Sequence, residues 1–381
     1  MNLSLTETQE LAKRTARDIA EKELAPRAAE VDRAYLFPWG GIKKLREAGL
    51  FGMTVPQEFA GTGIDTLSFV LVIEEIAKAC ASTALIVVSH AAACKGILVA
   101  GSEAQKRRFI PPLAGGEKLG GFAVHEEACG SAAAAIETKA ELHGDFYRVN
   151  GSKIFVTNAQ EAEVYLVLVR TDPLKGLQGI SMLIVEKGTP GFGFGKKDER
   201  MGLHGVSSRE LVFEDCQVPR ENLLGREGEG LQIVGQALIS FAFLGAAAIS
   251  IGIAQAALEA AIRHARERKI AGIPIGTHQA IQFLIAEMSL AISAARSLLF
   301  QSIFNVENPG PGTAIDTRQA KLYASEMAIE VTNKALQVHG GHGYHKDYPL
   351  ERHYRDARGL TLHFKTTELL KEDIGKMLLG L

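Results

Sequence analysis

At 381 residues, with 46% hydrophobic and 23% charged residues, the chain has the make-up of a soluble globular protein with room for two or three domains around a large core. A formal net charge of −2 gives no footing for nucleic acid or an anionic membrane as the main partner. The scattered cysteines Cys80, Cys94, Cys129 and Cys216 form no CxxC, and the histidines form no HExxH, so neither a zinc site nor another metal site is expected. Met1 to Glu7 lacks a basic stretch followed by an apolar one, so the expectation is a cytoplasmic protein without a signal peptide. The apolar run Phe241–Ala257, rich in Ala and Gly and broken by Ser250 and Gln255, reads as a buried helix without membrane insertion.

In chain order, Leu5–Leu24 is amphipathic, with Thr6 and Gln9 spaced as a capping box. Pro38-Trp39 opens a helix that Gly49 ends. Residues Pro56–Gly63 read as a loop, Ser68–Cys80 and Thr83–Ala100 as apolar helices, and Ser102–Leu113 as a short basic one. From Leu119 the period becomes alternating, with strands at 120–125, 139–143, 146–149, 151–157, 164–170, 180–186 and 211–218. Asn150-Gly151 is among the expected turns, and the spacing suggests a small antiparallel barrel or sandwich. After Gly225 four long helices, about 228–270, 277–306, 316–338 and 366–379, predict a bundle. The expected fold is mostly α with a central β domain: helical domain 1–119, β domain 120–225 and helical bundle 226–381.

Near the C-terminus, Gln337-Val338-His339-Gly340-Gly341-His342-Gly343-Tyr344 is followed by Arg355-Asp356-Ala357-Arg358. Adjacent glycines let backbone approach a ligand closely, and two arginines around one aspartate suggest a buttressed charge cluster. A plain glycine turn with charges on its rim is the other reading.

Five segments in order give the stretch a context. These are Phe122–Ser131 (FAVHEEACGS), Lys153–Asn158 (KIFVTN), Leu211–Pro219 with Asn222–Gly225, Arg266–Pro274 with Gln279–Gln282, and the Gly340-Gly341 stretch itself. Together they resemble the acyl-CoA dehydrogenase family over essentially the whole chain. The resemblance implies its three-domain fold, FAD as cofactor, a CoA thioester as substrate, electron-transfer flavoprotein as redox partner, and a homotetramer or at least a dimer. It places FAD against Phe122, Val124, His125, Gly130, Ser131, Phe155, Val156, Thr157, Arg268, Gln279, Gln337, Gly340, Gly341, Thr366 and Glu368, partly from a neighbouring subunit. Phe155 offers a flat apolar face for a ring, and the Arg268 fork suits a pyrophosphate. Ser131, Phe241, Ala242 and Phe364 would border the substrate.

The resemblance also exposes a gap. Where the family carries its catalytic glutamate in a Y-E-G-T segment, this chain has His363-Phe364-Lys365-Thr366, and the alternative place on the first bundle helix is Phe241-Ala242. Three readings follow. Proton abstraction has moved to His90, His125 or His363, histidine being suited by its near-neutral pKa, and the substrate is a cyclic, aromatic or dicarboxylic thioester. Alternatively, a leaving carboxylate or sulfinate makes a base unnecessary in an aromatic-walled pocket. Thirdly, the chain binds flavin or CoA without turnover. Glu126 is expected to be structural and Glu127 exposed.

Overall fold

The computed structural model describes residues 5–129, 135–308, 310 and 312–381. Helix α1 (Glu7–Ile19) begins with the expected capping box, the Thr6 N–H donating to Gln9 Oε1 at 2.9 Å and the Gln9 N–H to Thr6 Oγ1 at 3.3 Å. A π-helical turn, Ala20–Leu24, carries the chain toward α2 (Ala28–Arg33) and α3 (Trp39–Glu47), after which Gly49 takes a positive φ of 71°. Helices α4 (Thr66–Ala79) and α5 (Ala81–Ala100) are buried along most of their length, and α6 (Glu103–Ala114) starts with a second capping box, Ser102 with Gln105.

The sheet comprises β1 (Gly120–Ala123), β2 (Lys139–His143), β3 (Phe146–Thr157), β4 (Val164–Arg170), β5 (Ile180–Glu186), β6 (Phe192–Lys197), β7 (Ser208–Pro219) and β8 (Leu223–Leu224). Its order is β6-β7-β3-β2-β4-β5-β8, with β1 on β4. Three expectations are corrected here. Asn150-Gly151 is no turn: β3 runs through it with a register shift against β7, because Gly151 at φ 141° lets the strand bulge without reversing. The sheet is not purely antiparallel, since β1 and β2 both pair with β4 in parallel. Strands β6 and β8 lacked an alternating pattern long enough to announce them.

Beyond the sheet lie α7 (Gly230–Ala237), a π-helical turn at Leu238–Ala242, α8 (Phe243–Glu267), a two-residue hairpin of β9 (Lys269–Ile270) and β10 (Ile273–Pro274), α9 (Gln279–Glu307), α10 (Thr313–His339), α11 (Leu350–Leu360) and α12 (Thr367–Leu379). The single helix expected over 228–270 is therefore split by the π turn, and α11 adds an element where only a charge cluster was expected. Gly245 lets α8 close on α5: a Cβ there would sit 2.6 Å from the Val88 methyls, an overlap costing about 1–3 kcal/mol.

Among the described residues three helices are long and apolar enough to cross a membrane, but α5 and α8 lie inside the protein. Helix α9 differs: it buries Met288, Ile292, Ala295, Leu299 and Ile303 and leaves Phe283 and Leu290 exposed.

Candidate active site

Strand β1 points its C-terminal end at one side of the site. Phe122, Val124 and His125 are half-buried there, and the His125 carbonyl accepts the Ile154 N–H at 2.9 Å, stitching this segment to β3. Gly130 and Ser131 lie outside the described residues. Just beyond, Glu126 and Lys153 form a buried pair at 2.5 Å, and Glu126 also accepts the Glu137 and Thr138 N–H groups. Burial drives the Glu126 pKa up, yet the Lys153 ammonium and these donors outweigh it and hold the carboxyl low. Glu126 is thus a structural anchor and Glu127 is exposed, as expected.

On β3, Phe155 takes a positive φ of 56° and is 66% exposed. An aromatic residue in the left-handed region is strained, and here the strain turns its ring away from the core. Thr157 is half-buried beside it, whereas the Val156 side chain is packed in the core, leaving only its backbone to meet a cofactor. At the far end of the bundle, Gly340 (φ 57°) and Gly341 have open space where a Cβ would point, while Gln337, Arg268 and Gln279 are exposed. The His264 and His339 rings stack 4.2 Å apart just below, joining the ends of α8 and α10. The exposed aromatic ring on β3 and, at a separate place on the chain, the open glycine backbone beside an exposed guanidinium are groups of the kinds that suit a flavin ring and a pyrophosphate.

The charge cluster of α11 proves to be framework. Arg355 does not pair with Asp356; it forks onto Asp32 at 2.6 and 3.0 Å and onto Glu351 at 2.6 Å. Asp356 instead accepts the Leu203 N–H at 2.6 Å. Sequence inspection missed Asp32 because its partner lies on a distant helix.

The turn after α11 carries Phe364, the position where a glutamate was expected by resemblance. Lys321, fully buried on α10, donates to the Lys365 carbonyl at 2.7 Å and clamps this turn from below; burial lowers its pKa to about 7. Phe364 sits in the turn at φ 62°, half-buried against the main core. Beside it, His363 Nδ1 lies 2.8 Å from the Gly359 carbonyl, which requires the proton on Nδ1 and leaves Nε2 as a free acceptor. Burial pushes the His363 pKa down to about 4, helped by Arg200, Lys321 and His125, so the ring is neutral near pH 7. His125 is within electrostatic reach of His363, and burial lowers its pKa as well. Thr366 caps α12 by accepting the Leu369 N–H, and Glu368 is exposed on the first turn.

Of the expected histidines, the structure leaves His125 and His363 half-buried, the charge of one felt weakly by the other, and encloses His90 completely. His90 is fully buried: Nδ1 accepts the Gly120 N–H at 3.1 Å and Nε2 lies 3.5 Å from Cys94 Sγ. With both nitrogens engaged and no exposed surface it pins α5 to β1 and cannot reach a substrate carbon. On the first-helix side, Ala242 is fully buried, and half-buried Phe241 stands edge-on to Phe69.

These buried imidazoles carry a pH signature. His90, His363 and His353 have folded pKa values lowered by burial to about 4, 4 and 3, against about 6.5 unfolded. Their contribution is complete above pH 6.5 and is lost as pH falls toward the folded values, because the unfolded chain then binds protons that the fold refuses. Each removes about 1.4 kcal/mol per pH unit in that window. The denaturation midpoint is expected to fall steeply between pH 6.5 and 4.5; a flat profile would contradict these assignments.

Comparison with known proteins agrees with this geometry. Residues 6–117 match the acyl-CoA dehydrogenase N-terminal domain, 121–216 the middle domain and 228–379 the C-terminal domain. The chain is 43% identical to an acryloyl-CoA reductase (NADH) of Anaerotignum propionicum, over 99% of this chain and 95% of that one. Among solved structures, butyryl-CoA dehydrogenase of Megasphaera elsdenii superposes with a TM-score of 0.97 at 38% identity, covering all of both chains. A chain from the structure of the electron transferring flavoprotein of Acidaminococcus fermentans matches equally, with TM-score 0.97, 40% identity and full coverage of both. The fold and these matches place the chain in the acyl-CoA dehydrogenase family of FAD-dependent flavin oxidoreductases.

Proposed function

We propose that the protein moves a hydrogen pair across the Cα–Cβ bond of a CoA thioester, with His363, assisted by His125, handling the α-proton. The observation that carries this is the neutral His363 ring, its Nδ1–H fixed on Gly359 and its Nε2 free, next to Phe364 where a carboxylate would otherwise serve. Its Nε2 is unprotonated near pH 7, so it accepts a proton without prior ionisation and returns it in the reverse direction, although the burial that keeps it neutral makes it a weaker base than a free imidazole, about as basic as an ordinary carboxylate. Bound FAD supplies the partner for the β-hydride, as acceptor in oxidation or donor in reduction. Phe155, Phe122 and Thr157 would position its ring, and Arg268, Gln279, Gly340 and Gly341 its phosphate and adenosine end.

Likeness to proteins named for butyryl-CoA and acryloyl-CoA supports a short acyl group. If the half-buried rings of Phe241 and Phe364 both border the acyl group, they would favour a compact cyclic, aromatic or dicarboxylic one. An electron-transferring flavoprotein as redox partner is supported by the Acidaminococcus match. The exposed apolar face of α9, near exposed Arg268 and Gln279 in sequence, supports assembly with further copies of the chain.

The aromatic walls also favour a second reading, loss of CO2 or sulfinate without a base. Anaerobic mixing of the FAD-loaded protein with a thioester panel separates the two. Bleaching of the flavin with a product two hydrogens lighter is the expected result. A flavin that stays oxidised while CO2 or sulfinate is released would establish the second reading instead.

A further inference from the structure

Helix α5 has one formal charge in its 20 residues, Lys95. The helix is otherwise apolar, Ser, Thr or His, so the lysine is out of place by composition alone. Its surroundings sharpen the anomaly. Its ammonium lies 5.6 Å from the centroid of the Phe241 ring, and burial, with no carboxylate to oppose it, lowers its pKa. Other enclosed cations are answered: Lys153 by Glu126, Arg296 by Glu74, Arg318 by Asp373, Arg355 by Asp32 and Glu351. Lys321 is answered by backbone carbonyls. Among the described residues Lys95 meets no carboxylate or carbonyl, only the face of Phe241.

Its place in the fold gives the vacancy a purpose. One face of α5 runs along the first bundle helix: Val88 packs on Gly245, and Lys95, two turns on, packs on Phe241 in the π turn. The adjacent Gly96 faces the sheet, where an added Cβ would run into Leu166 of β4 and come within 3.7 Å of Phe122 of β1. Lys95 therefore stands against the π turn, one residue from the point where α5 packs on the sheet. A half-desolvated ammonium there costs free energy until an anion arrives, and the same desolvation strengthens the pair once formed.

We infer that Lys95 is a specificity-determining residue that receives an anionic group at the far end of the acyl chain, which makes the substrate a dicarboxylic CoA thioester. This rests on the proposed thioester chemistry and selects among its compact acyl classes. A single lysine seated on an aromatic ring matches one carboxylate; a diphosphate is better met by guanidinium forks and backbone N–H groups. The pairing also stabilises the bound carboxylate and so opposes its loss as CO2, favouring hydrogen transfer over decarboxylation.

The test is affinity, read from the perturbation of the flavin spectrum of the FAD-loaded protein by succinyl-CoA, glutaryl-CoA, butyryl-CoA and free CoA. Lys95→Met is expected to weaken binding of one or both dicarboxylic thioesters about tenfold or more while changing butyryl-CoA and free CoA little, with Lys95→Arg restoring most of the difference. Equal weakening of all four ligands would make Lys95 a contact of the CoA moiety and overturn the inference, as would no change in any. A wild-type flavin spectrum that responds to no thioester would overturn the underlying function, a separately visible outcome. FAD content and melting temperature of each variant distinguish these results from misfolding.

Discussion

Phe364→Glu is expected to raise the rate at which butyryl-CoA reduces the bound flavin by about 10²–10⁴-fold, the usual worth of a positioned general base. The turn that holds the residue is already built. Lys321 clamps the Lys365 carbonyl, the Thr367 N–H closes on the Thr361 carbonyl at 3.1 Å, and Thr366 caps α12. Phe364 occupies a left-handed conformation that glutamate shares at similar cost, since both are L residues with one Cβ substituent. The buried Lys321 and nearby Arg200 supply positive potential that favours the ionised carboxylate. Stopped-flow bleaching under anaerobic conditions reads the rate. An unchanged rate in a variant that keeps its FAD would mean that position 364 does not face the α-carbon.

His363→Asn is the complementary loss. Asparagine can keep the donation from the Nδ1 side to the Gly359 carbonyl, so the turn retains its anchor, but it has no basic nitrogen at Nε2. Flavin reduction by the preferred thioester is expected to slow about 10²–10⁴-fold, with thioester affinity much less affected. His125→Asn is expected to slow the reaction less, because in the proposed scheme His125 only assists His363. If His363→Asn leaves reduction unchanged and His125→Asn abolishes it, the two roles are exchanged.

Much of the fold was legible because its signals are local. The capping box at Thr6, the period change after Leu119 and the boundaries of β2, β4 and β5 all follow from short patterns. What escaped depended on long-range neighbours. Gly151 looks like a turn residue, and only pairing of β3 with β7 makes it a bulge. The π turn at Leu238–Ala242 has no composition of its own. Arg355 finds Asp32 from a different domain region rather than the aspartate beside it in sequence.

The site divides the same way. That phenylalanine stands at 364 and 241 and alanine at 242, where the resemblance led one to expect a carboxylate, could be read directly, as could three candidate histidines. Choosing among the histidines needed burial and hydrogen bonds: His90 on an apolar helix is indistinguishable in sequence from a pocket residue, yet its ring is locked between Gly120 and Cys94. Lys95 was visible as a lone charge in an apolar helix, but its lack of an anionic neighbour is a fact of packing.

The most direct test of relocated proton transfer is α-hydrogen exchange. The FAD-loaded protein is incubated in D2O with its preferred saturated thioester and the matching enoyl thioester, and recovered thioester is analysed by mass spectrometry. Incorporation of deuterium at the α-carbon by the wild type, lost in His363→Asn and regained in the His363→Asn/Phe364→Glu double variant, is the result predicted. Undiminished exchange in His363→Asn, or wild-type release of CO2 without exchange, would contradict it.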